Sequence, residues 1–387
     1  MVTRVTNTML QNTLLSNLSM NLSRMDKLQN QMASGRKFGH ISDDPSALIY
    51  GQSARNKLAK VGHNQEMVGV AQSWLTQAEA GVMELNKTVA AVYEELVAAG
   101  GAKTDEDKKI LAMVVGQLRD HYVDTLNTSY GDRYVFGGYN TPGDFADGRP
   151  PELKPFSVQD VLNPDTGRVE PRLFFNGFDV SQFDGLNSEI FNDPASDLSG
   201  STPPGPSQAE FELLHKLMGD VKTLDVGPGI NIPITQNGLD VVFFVTRNEN
   251  GEATIRNTFD LLTEIYNAVN GIPEQIAGTL NGDPVPAMDA VPPLGTDDLT
   301  KLIGLIQDSQ NHLLTRTAEI GGRQRRLELL EARYAQDALN YEQMRSDAED
   351  ADMAEVIMYL KMAETVYQAA LSAGARIIQP TLMDFLR

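Results

Sequence analysis

Toward the end of the chain, apolar residues recur at three- and four-residue steps or their sum: Leu327, Leu330, Tyr334, Tyr341, Met344, Ala348 and Ala351. Asp337 interrupts them where another apolar side chain is due. The stripe slips in register near Asp352. It resumes at Val356, Leu360, Ala363, Tyr367, Ala370 and Ile377 and runs on toward Leu382 and Phe385. Such spacing predicts a heptad seam on one long helix. A single stripe on one helix needs a second to bury against. Leu15, Leu18, Leu22, Met25 and Met32 offer one, at steps of three, four, three and seven among Asn, Ser and Gln neighbours. That thin seam is marginal as an isolated helix. Gly35 is its natural stop, and Gly39 extends the break.

Ser42-Asp43-Asp44-Pro45 follows. A hydroxyl and two carboxylates can accept from orphan backbone N–H groups, and Pro fits a first helical turn, so this is a helix start. Asp43 and Asp44 would also suit a metal or acid–base pair, but helix caps have the same composition and are the simpler reading. One helical face then runs through Ala47, Gly51, Ala54, Leu58, Val61 and Val68. After a shift of register it continues through Leu75, Ala78, Val82, Leu85, Val89, Val92, Leu96 and Ala99. A periodic run of this length reads as part of a coiled-coil-type bundle. Gly100-Gly101 ends it. Thr104-Asp105-Glu106-Asp107 starts another helix, with acids where the helix dipole favours them.

The pattern changes at Tyr130. Arg133 to Gly138 is a short strand-like run closed by glycines. From Pro142 to Ala253, Gly, Pro, Asn and Asp are dense. The apolar runs there are short: Arg172 to Val180, Gly229 to Thr235 and Leu239 to Thr246. Asn250-Gly251 between two such runs predicts a hairpin. Glu210 to Leu224 reads as one helix. Helical period returns from Asn257 to Val269. Residues 271–296 are a Pro/Gly-rich irregular connection, and the last helical region starts at Thr296. The expected fold is mainly α. It is an elongated helical bundle, or coiled coil, of paired N- and C-terminal segments with an inserted, mostly β domain. Residues 1–40 with 345–387 would form a terminal coiled-coil layer. Residues 41–140 with 254–344 would form a helical rod domain, and 141–253 the inserted β-rich domain. The seam beyond Arg345 is rich in Ala, so its burial repays little of the entropy lost in ordering it. Both ends are therefore expected to be largely unfolded in a free monomer and to fold against other subunits.

Composition narrows the function. The net charge of −20 over 387 residues disfavours phosphate backbones and anionic lipid as partners, so neither nucleic acid nor membrane is expected. No stretch has the length of a membrane span, and the first residues lack the pattern of a cleavable secretion signal. The absence of cysteine removes disulfides, thiol catalysis and thiolate metal sites. His40, His63, His121, His215 and His312 are too scattered for a helical metal pair. No phosphate loop, nucleophile elbow or dinucleotide fingerprint is present. Asp165-Thr166-Gly167 and Asn248-Glu249-Asn250-Gly251 lack the full ligand spacing of a calcium loop and read as turns. The carboxylates Asp144, Asp147, Asp160, Asp179 and Asp184 lie in the inserted region without a spacing suited to catalysis. No cofactor, metal or catalytic residue is expected. Arg323, Arg325, Arg326 and Arg333 form the one basic patch. It is either a solvated helix face or a contact to an acidic neighbouring subunit.

Several motifs resemble the flagellin superfamily. They are Met32-Ala33-Ser34-Gly35-Arg36-Lys37, Ser42-Asp43-Asp44-Pro45, Gln72-Ser73-Trp74-Leu75-Thr76-Gln77-Ala78-Glu79 and Arg133-Tyr134-Val135-Phe136-Gly137-Gly138. Ala318-Glu319-Ile320-Gly321, the acidic run Ala348 to Glu355, Tyr367-Gln368-Ala369-Ala370-Leu371 and the end from Ile377 to Leu386 resemble its hook-associated protein 3 group. The likeness covers residues 1–140 and 297–387. It implies a structural part at the junction of flagellar hook and filament, exported unfolded through the flagellar type III channel. The implied partners are hook-associated protein 1, flagellin, neighbouring copies in a tubular ring, and an export chaperone on the C-terminal helix. It also implies that Leu15, Leu18, Leu22 and Met25 face Leu360, Ala363, Tyr367 and Ala370, and that Ser42 to Pro45 mark a hinge. Filament flagellin is the alternative inside the superfamily. An enzyme in residues 141–253 and a cytoplasmic coiled-coil scaffold are alternatives outside it.

Overall fold

The computed structural model describes residues 7–39, 43–99, 104–131, 133–138, 154–162, 169–193, 207–219, 221–248, 251–270, 278–280, 283–285 and 296–383. Three helices come first: α1 (Asn7–Ser34), α2 (Pro45–Ala99) and α3 (Asp105–Leu126). Strands β1 (Ser129–Tyr130) and β2 (Arg133–Tyr134) pair, and β3 (Phe156–Leu162), β4 (Val169–Phe175) and β5 (Phe178–Asp179) form an antiparallel sheet in that order. Short helices α4 (Ser188–Asn192) and α5 (Gln208–Gly219) precede the hairpin of β6 (Thr223–Gly227) and β7 (Ile230–Pro233). Helix α6 (Gly238–Val242) leads into β8 (Phe243–Arg247), which pairs with β9 (Ala253–Asn257). Helix α7 (Thr258–Asn270), the hairpin β10 (Gly278–Leu280) and β11 (Asp283–Val285), α8 (Thr296–Glu349) and α9 (Met353–Met383) complete the chain.

Contacts divide the chain into two compact units, Met1–Gln65 with Ala332–Arg387 and Glu66–Glu331. The division falls inside α2 and α8, whereas the boundaries expected near 40 and 345 lie close to changes of helix. Residues 141–253 fall in the same unit as α3 and α7.

The unit of residues 66–331 buries an aromatic core. Tyr122, Phe136, Phe156, Phe175, Phe183, Phe211, Phe244 and Phe259 are fully buried. Period-two alternation turns Leu173 and Phe175 of β4 inward. The Asn127 amide ties α3 to β3, donating to the Phe156 carbonyl at 2.9 Å and accepting from its N–H at 3.0 Å. Arg119 of α3 lies over Phe259 and Tyr266 of α7, 5.6 and 5.5 Å from the ring centres. Helices α2 and α8 run antiparallel here, linked by Gln72 to Glu331 at 2.8 Å and Gln324 to Glu79 at 2.9 Å. Thr104 caps α3, at the helix start read from the sequence, through a capping box with Asp107.

Three expectations need correction. The helix read from Glu210 to Leu224 ends at Gly219, and Thr223 already belongs to β6. The connection 271–296 holds a hairpin, β10–β11. The seam read as one long helix lies on two, with a break between Glu349 and Met353. Asp352 is the reason. Its Oδ1 accepts from the Ala354 and Glu355 N–H groups at 2.9 and 3.3 Å, which makes it the N-cap of a new helix. Strands β8 and β9 pair on either side of the predicted Asn250-Gly251 turn, with Gly251 at φ +82°; Asn250 itself lies outside the described residues.

Candidate functional site

In the unit of residues 1–65 and 332–387, α1 packs against α9. Leu28, Val356, Leu360 and Ala363 form its buried cluster, flanked by Met25, Ala351 and Tyr359. Farther along, Gly374 meets Leu14, and a Cβ on that glycine would sit 2.8 Å from Leu14 Cδ2. Leu28 with Leu360 at one end and Leu14 with Gly374 at the other make the pair antiparallel. On α1 the less exposed positions are Leu14, Leu18, Asn21, Met25 and Leu28, at steps of four, three, four and three. This is a heptad seam with a polar residue in it.

At the other end of the pair the chain makes a joint. Gly35 stops α1 at φ +70°, the left-handed conformation that glycine adopts without strain. Residues 35–37 then cross 349–351 as a short antiparallel bridge. Lys37 N–H donates to the Glu349 carbonyl at 2.7 Å and Ala351 N–H to the Gly35 carbonyl at 2.8 Å. The Lys37 ammonium donates to the Asp347 carbonyl at 2.6 Å. The Glu349 side chain turns under α2, only 5% exposed, and pairs with Arg55. Gly51 makes the space, since a Cβ there would lie 2.7 Å from Glu349 Cγ. A buried carboxylate is tolerated where a guanidinium compensates it, and losing that partner is costly. Asp44 caps α2, accepting from Ala47 N–H at 3.0 Å, with Pro45 in the first turn. Lys27 of α1 reaches Asp43 at 3.0 Å. The end of α1, the starts of α2 and α9, and the end of α8 thus meet through backbone bonds and one ion pair whose carboxylate is buried.

The structure sorts the sequence-predicted residues. Val356, Leu360 and Ala363 are buried in the α1–α9 seam, and Leu18, Met25, Tyr367 and Ala370 are partly buried. Leu15, Leu22 and Met32 are exposed by 63, 48 and 40%, so within one chain they do not face α9. The implied pairing of Leu15 and Leu22 with α9 is therefore corrected: Leu14 and Leu28 take those places. Ile377 and Leu382 fall on α9, and nothing is described of their side chains; Ser42 and Phe385 lie outside the described residues. Asp43, Asp44 and Pro45 sit at the joint. Sequence reasoning missed Gly51, Arg55, Glu349 and Gly374. Only the four-residue step from Gly51 to Arg55 hinted that both share one side of α2. Helix α9 carries more exposed apolar residues: Ile357, Met358, Met362, Val366 and Leu371.

Chemical groups elsewhere are structural in character. Among the described residues, no group of three or more His, Asp or Glu is placed to hold a metal ion, and no helix is long and apolar enough to cross a membrane. Of the basic patch, Arg323 turns to Gln236 at 3.4 Å. Arg325 and Arg333 pair along their own helix with Glu328 and Asp337, contacts worth a few tenths of a kcal/mol. One mixed-charge cluster stands out in the unit of residues 66–331. Arg256 contacts Asp184 at 3.0 Å and Glu264 at 2.7 Å, and Arg172 contacts Asp179 at 3.0 Å. Among the described residues, Asp260 takes hydrogen bonds from neutral donors, Ser181 Oγ at 2.9 Å and Asn257 Nδ2 at 3.2 Å. Burial, reinforced by the Asp184 charge, pushes the Asp260 carboxyl up to about 8.

The comparisons with known proteins agree with this architecture. Residues 5–141 match the bacterial flagellin N-terminal helical region. Flagellar hook-associated protein 3 of Escherichia coli K12 is 24% identical over 356 residues, covering 90% of this chain and 88% of that protein. The Salmonella typhimurium protein of the same name is 27% identical over 144 residues, 36% of this chain and 44% of that protein. A solved structure described as a flagellar hook-associated protein from Vibrio parahaemolyticus shares the fold, with a TM-score of 0.50 at 14% identity. It covers 80% of this chain and 100% of that one. With helical ends that pair and a β-bearing middle, the chain is similar to flagellar hook-associated protein 3, and its N-terminal part matches the flagellin N-terminal helical region.

Proposed function

We propose that this protein is a structural component of the bacterial flagellum that joins the hook, through hook-associated protein 1, to the flagellin filament. The observation that carries the reading is the alignment with a hook-associated protein 3 over 90% of the chain. In this reading the protein is not an enzyme. Its work is done by surfaces, and copies of it pack into a tubular ring outside the cell. The exposed rows on α1 (Leu15, Leu22, Met32) and α9 (Ile357, Met362, Val366) meet neighbouring copies, because apolar rows of this size on both helices of a thin pair leave much surface to bury. The chain is exported unfolded, and a chaperone holds its C-terminal helix beforehand.

Deleting the gene in the source bacterium tests this. The mutant is expected to build hooks and shed flagellin monomers into the medium. Normal filaments on mutant cells would reject the reading, and long filaments grown from the purified protein alone would favour a filament flagellin instead.

A second expectation concerns the ends. The buried cluster between α1 and α9 is four residues, two of which, Val356 and Ala363, have short side chains. So small a core stabilises little by itself. Amide hydrogen exchange on dilute monomer should be fast over residues 7–34 and 353–383 and slow over α7 and β8–β9. Strong protection of both ends in the monomer would show that they fold without neighbours.

A further inference from the structure

The joint carries two surfaces that complement each other and are not paired with each other in one chain. The first is a shallow recess along one face of α2, lined by Leu48, Ile49, Gln52, Ser53, Asn56, Lys57 and Lys60. Ile49 is 67% exposed and its neighbour Tyr50 68%. Lys57 lies over the Tyr341 ring, 5.4 Å from its centre, with its side chain exposed. The recess sets two cations, Lys57 and Lys60, beside the aliphatic Leu48 and Ile49, on a chain of net charge −20. The second surface is the turn between α8 and α9. There Asp350, Asp352 and Glu355 are exposed beside Met353 and Ile357, themselves exposed by 39 and 46%. None of the ion pairs described in this unit uses Lys57, Lys60, Asp350, Asp352 or Glu355.

The two surfaces are kept apart within a chain. Gly51 and Arg55 are the α2 residues that face Glu349, at the end of α8. Ile49, Ser53 and Lys60 lie on a different side of α2, by helical geometry about 100 degrees per residue. A rigid copy cannot fold its own turn into its own recess. Another copy can.

We propose that the recess on α2 docks the α8–α9 turn of a second copy of this chain, with Lys57 and Lys60 against Asp350 and Glu355 and Ile49 against Met353. This rests on the reading of the protein as a tubular assembly and names the contact that builds it. Because the two surfaces differ, the contact is head-to-tail. Such contacts close into a ring or continue as a helix and do not stop at a dimer. The charges choose the partner surface and the apolar residues hold it. In an acidic chain, Lys57 and Lys60 also make the recess a place where two copies can approach without net repulsion.

The absence of cysteine makes the test clean. A chain carrying Ile49→Cys and Met353→Cys is expressed in place of the wild type, and intact flagella are sheared and mildly oxidised. A ladder of disulfide-linked multimers beyond the dimer is expected, ending at the ring size, and each single variant should give none. Charge reversal is the second arm. Lys57→Glu with Lys60→Glu should lower incorporation into flagella severalfold, and adding Asp350→Lys with Glu355→Lys should restore it. A double-cysteine protein that is present in flagella of motile cells and gives no ladder overturns the contact. So does a charge reversal that the compensating pair fails to rescue. If the wild-type protein is absent from sheared flagella, the assembly reading itself fails, and that outcome is separate from the other two.

Discussion

Leu360→Asp is expected to keep the protein out of flagella while leaving residues 66–331 as stable as in the wild type. Leu360 is 6% exposed in the cluster it shares with Leu28, Val356 and Ala363. Truncating a buried leucine costs about 2–5 kcal/mol. A carboxylate in the same place adds the penalty of burying a charge among apolar groups. The α1–α9 pair has no reserve to absorb that loss, because its cluster is small and Gly374 and Ala363 contribute little apolar area. The unit of residues 66–331 has its own core, centred on Phe136, Phe156, Phe175 and Phe244, none of which lies on α1 or α9. The measurements are incorporation into sheared flagella and the denaturant midpoint of the soluble protein, followed by near-ultraviolet signals from the central aromatics. An unchanged midpoint with lost incorporation is the expected pair of results. A lowered midpoint for the aromatic core would show that the two units are not independent. Normal incorporation would show that the buried seam is not what assembly requires.

The prominence of Leu360 in that result is legible in the spacing, and so is the break beside it. The stripe on α9 has three-and-four steps that continue the seam of α8, and following it puts Val356, Leu360 and Ala363 on the buried side, although Met362 and Val366 belong to a second, exposed row. The slip at Asp352 is visible because a cap changes register, although spacing does not distinguish a slip within one helix from a break between two. The seam of α1 is harder. Leu15 and Leu22 stand at three- and four-residue steps from Leu18 and Met25 just as Leu14 and Leu28 do through Asn21, and that polar residue inside the true seam hides the pattern. Both rows are real, one facing α9 and one exposed. A helix with two apolar rows has no single stripe that names its buried face.

The ion pair of the joint is out of reach for another reason. Arg55 and Glu349 are 294 positions apart, and nothing local marks either residue as buried. Glu349 sits in the run Asp347 to Glu355, which reads as a solvated acidic face, and Gly51 reads as one small residue in an alanine-rich stripe. Only the fold reveals that the glycine is the space into which the carboxylate turns. In the middle of the chain, turn chemistry locates hairpins such as β8–β9. The packing of Phe156, Phe175 and Phe183 depends on strand partners that short apolar runs do not specify.

Asp260→Asn is expected to flatten the alkaline side of the stability profile of residues 66–331. In the wild type the folded carboxyl titrates at about 8, whereas its ordinary value is 3.8. Between those values the folded state holds a proton that the unfolded chain has released, so stability falls as pH rises through that window and levels off above it. Each pKa unit corresponds to about 1.4 kcal/mol, so the loss across the window amounts to several kcal/mol. The groups around Asp260 account for the direction. Asp184 and Glu264 share Arg256 and Asp179 takes Arg172, so Arg172 offsets only part of the burial and like-charge effects on Asp260. Asp184 is itself raised, by burial more than Arg256 lowers it. Asn reproduces the neutral acid in both of its contacts. Its amide N–H can donate to Ser181 Oγ, and its carbonyl can accept from Asn257 Nδ2. The variant should therefore match the wild type near pH 4 and exceed it by a growing margin up to about pH 8, beyond which the margin is constant. Urea unfolding at a series of pH values, with wild type and variant side by side, reads this directly, since every other titrating group is common to both. Parallel curves would mean that Asp260 is ionised in the folded protein and that the cluster finds compensation for all four carboxylates. A variant less stable than the wild type by the same amount at every pH would mean that Asn fits the site poorly while Asp260 does not titrate between the two states.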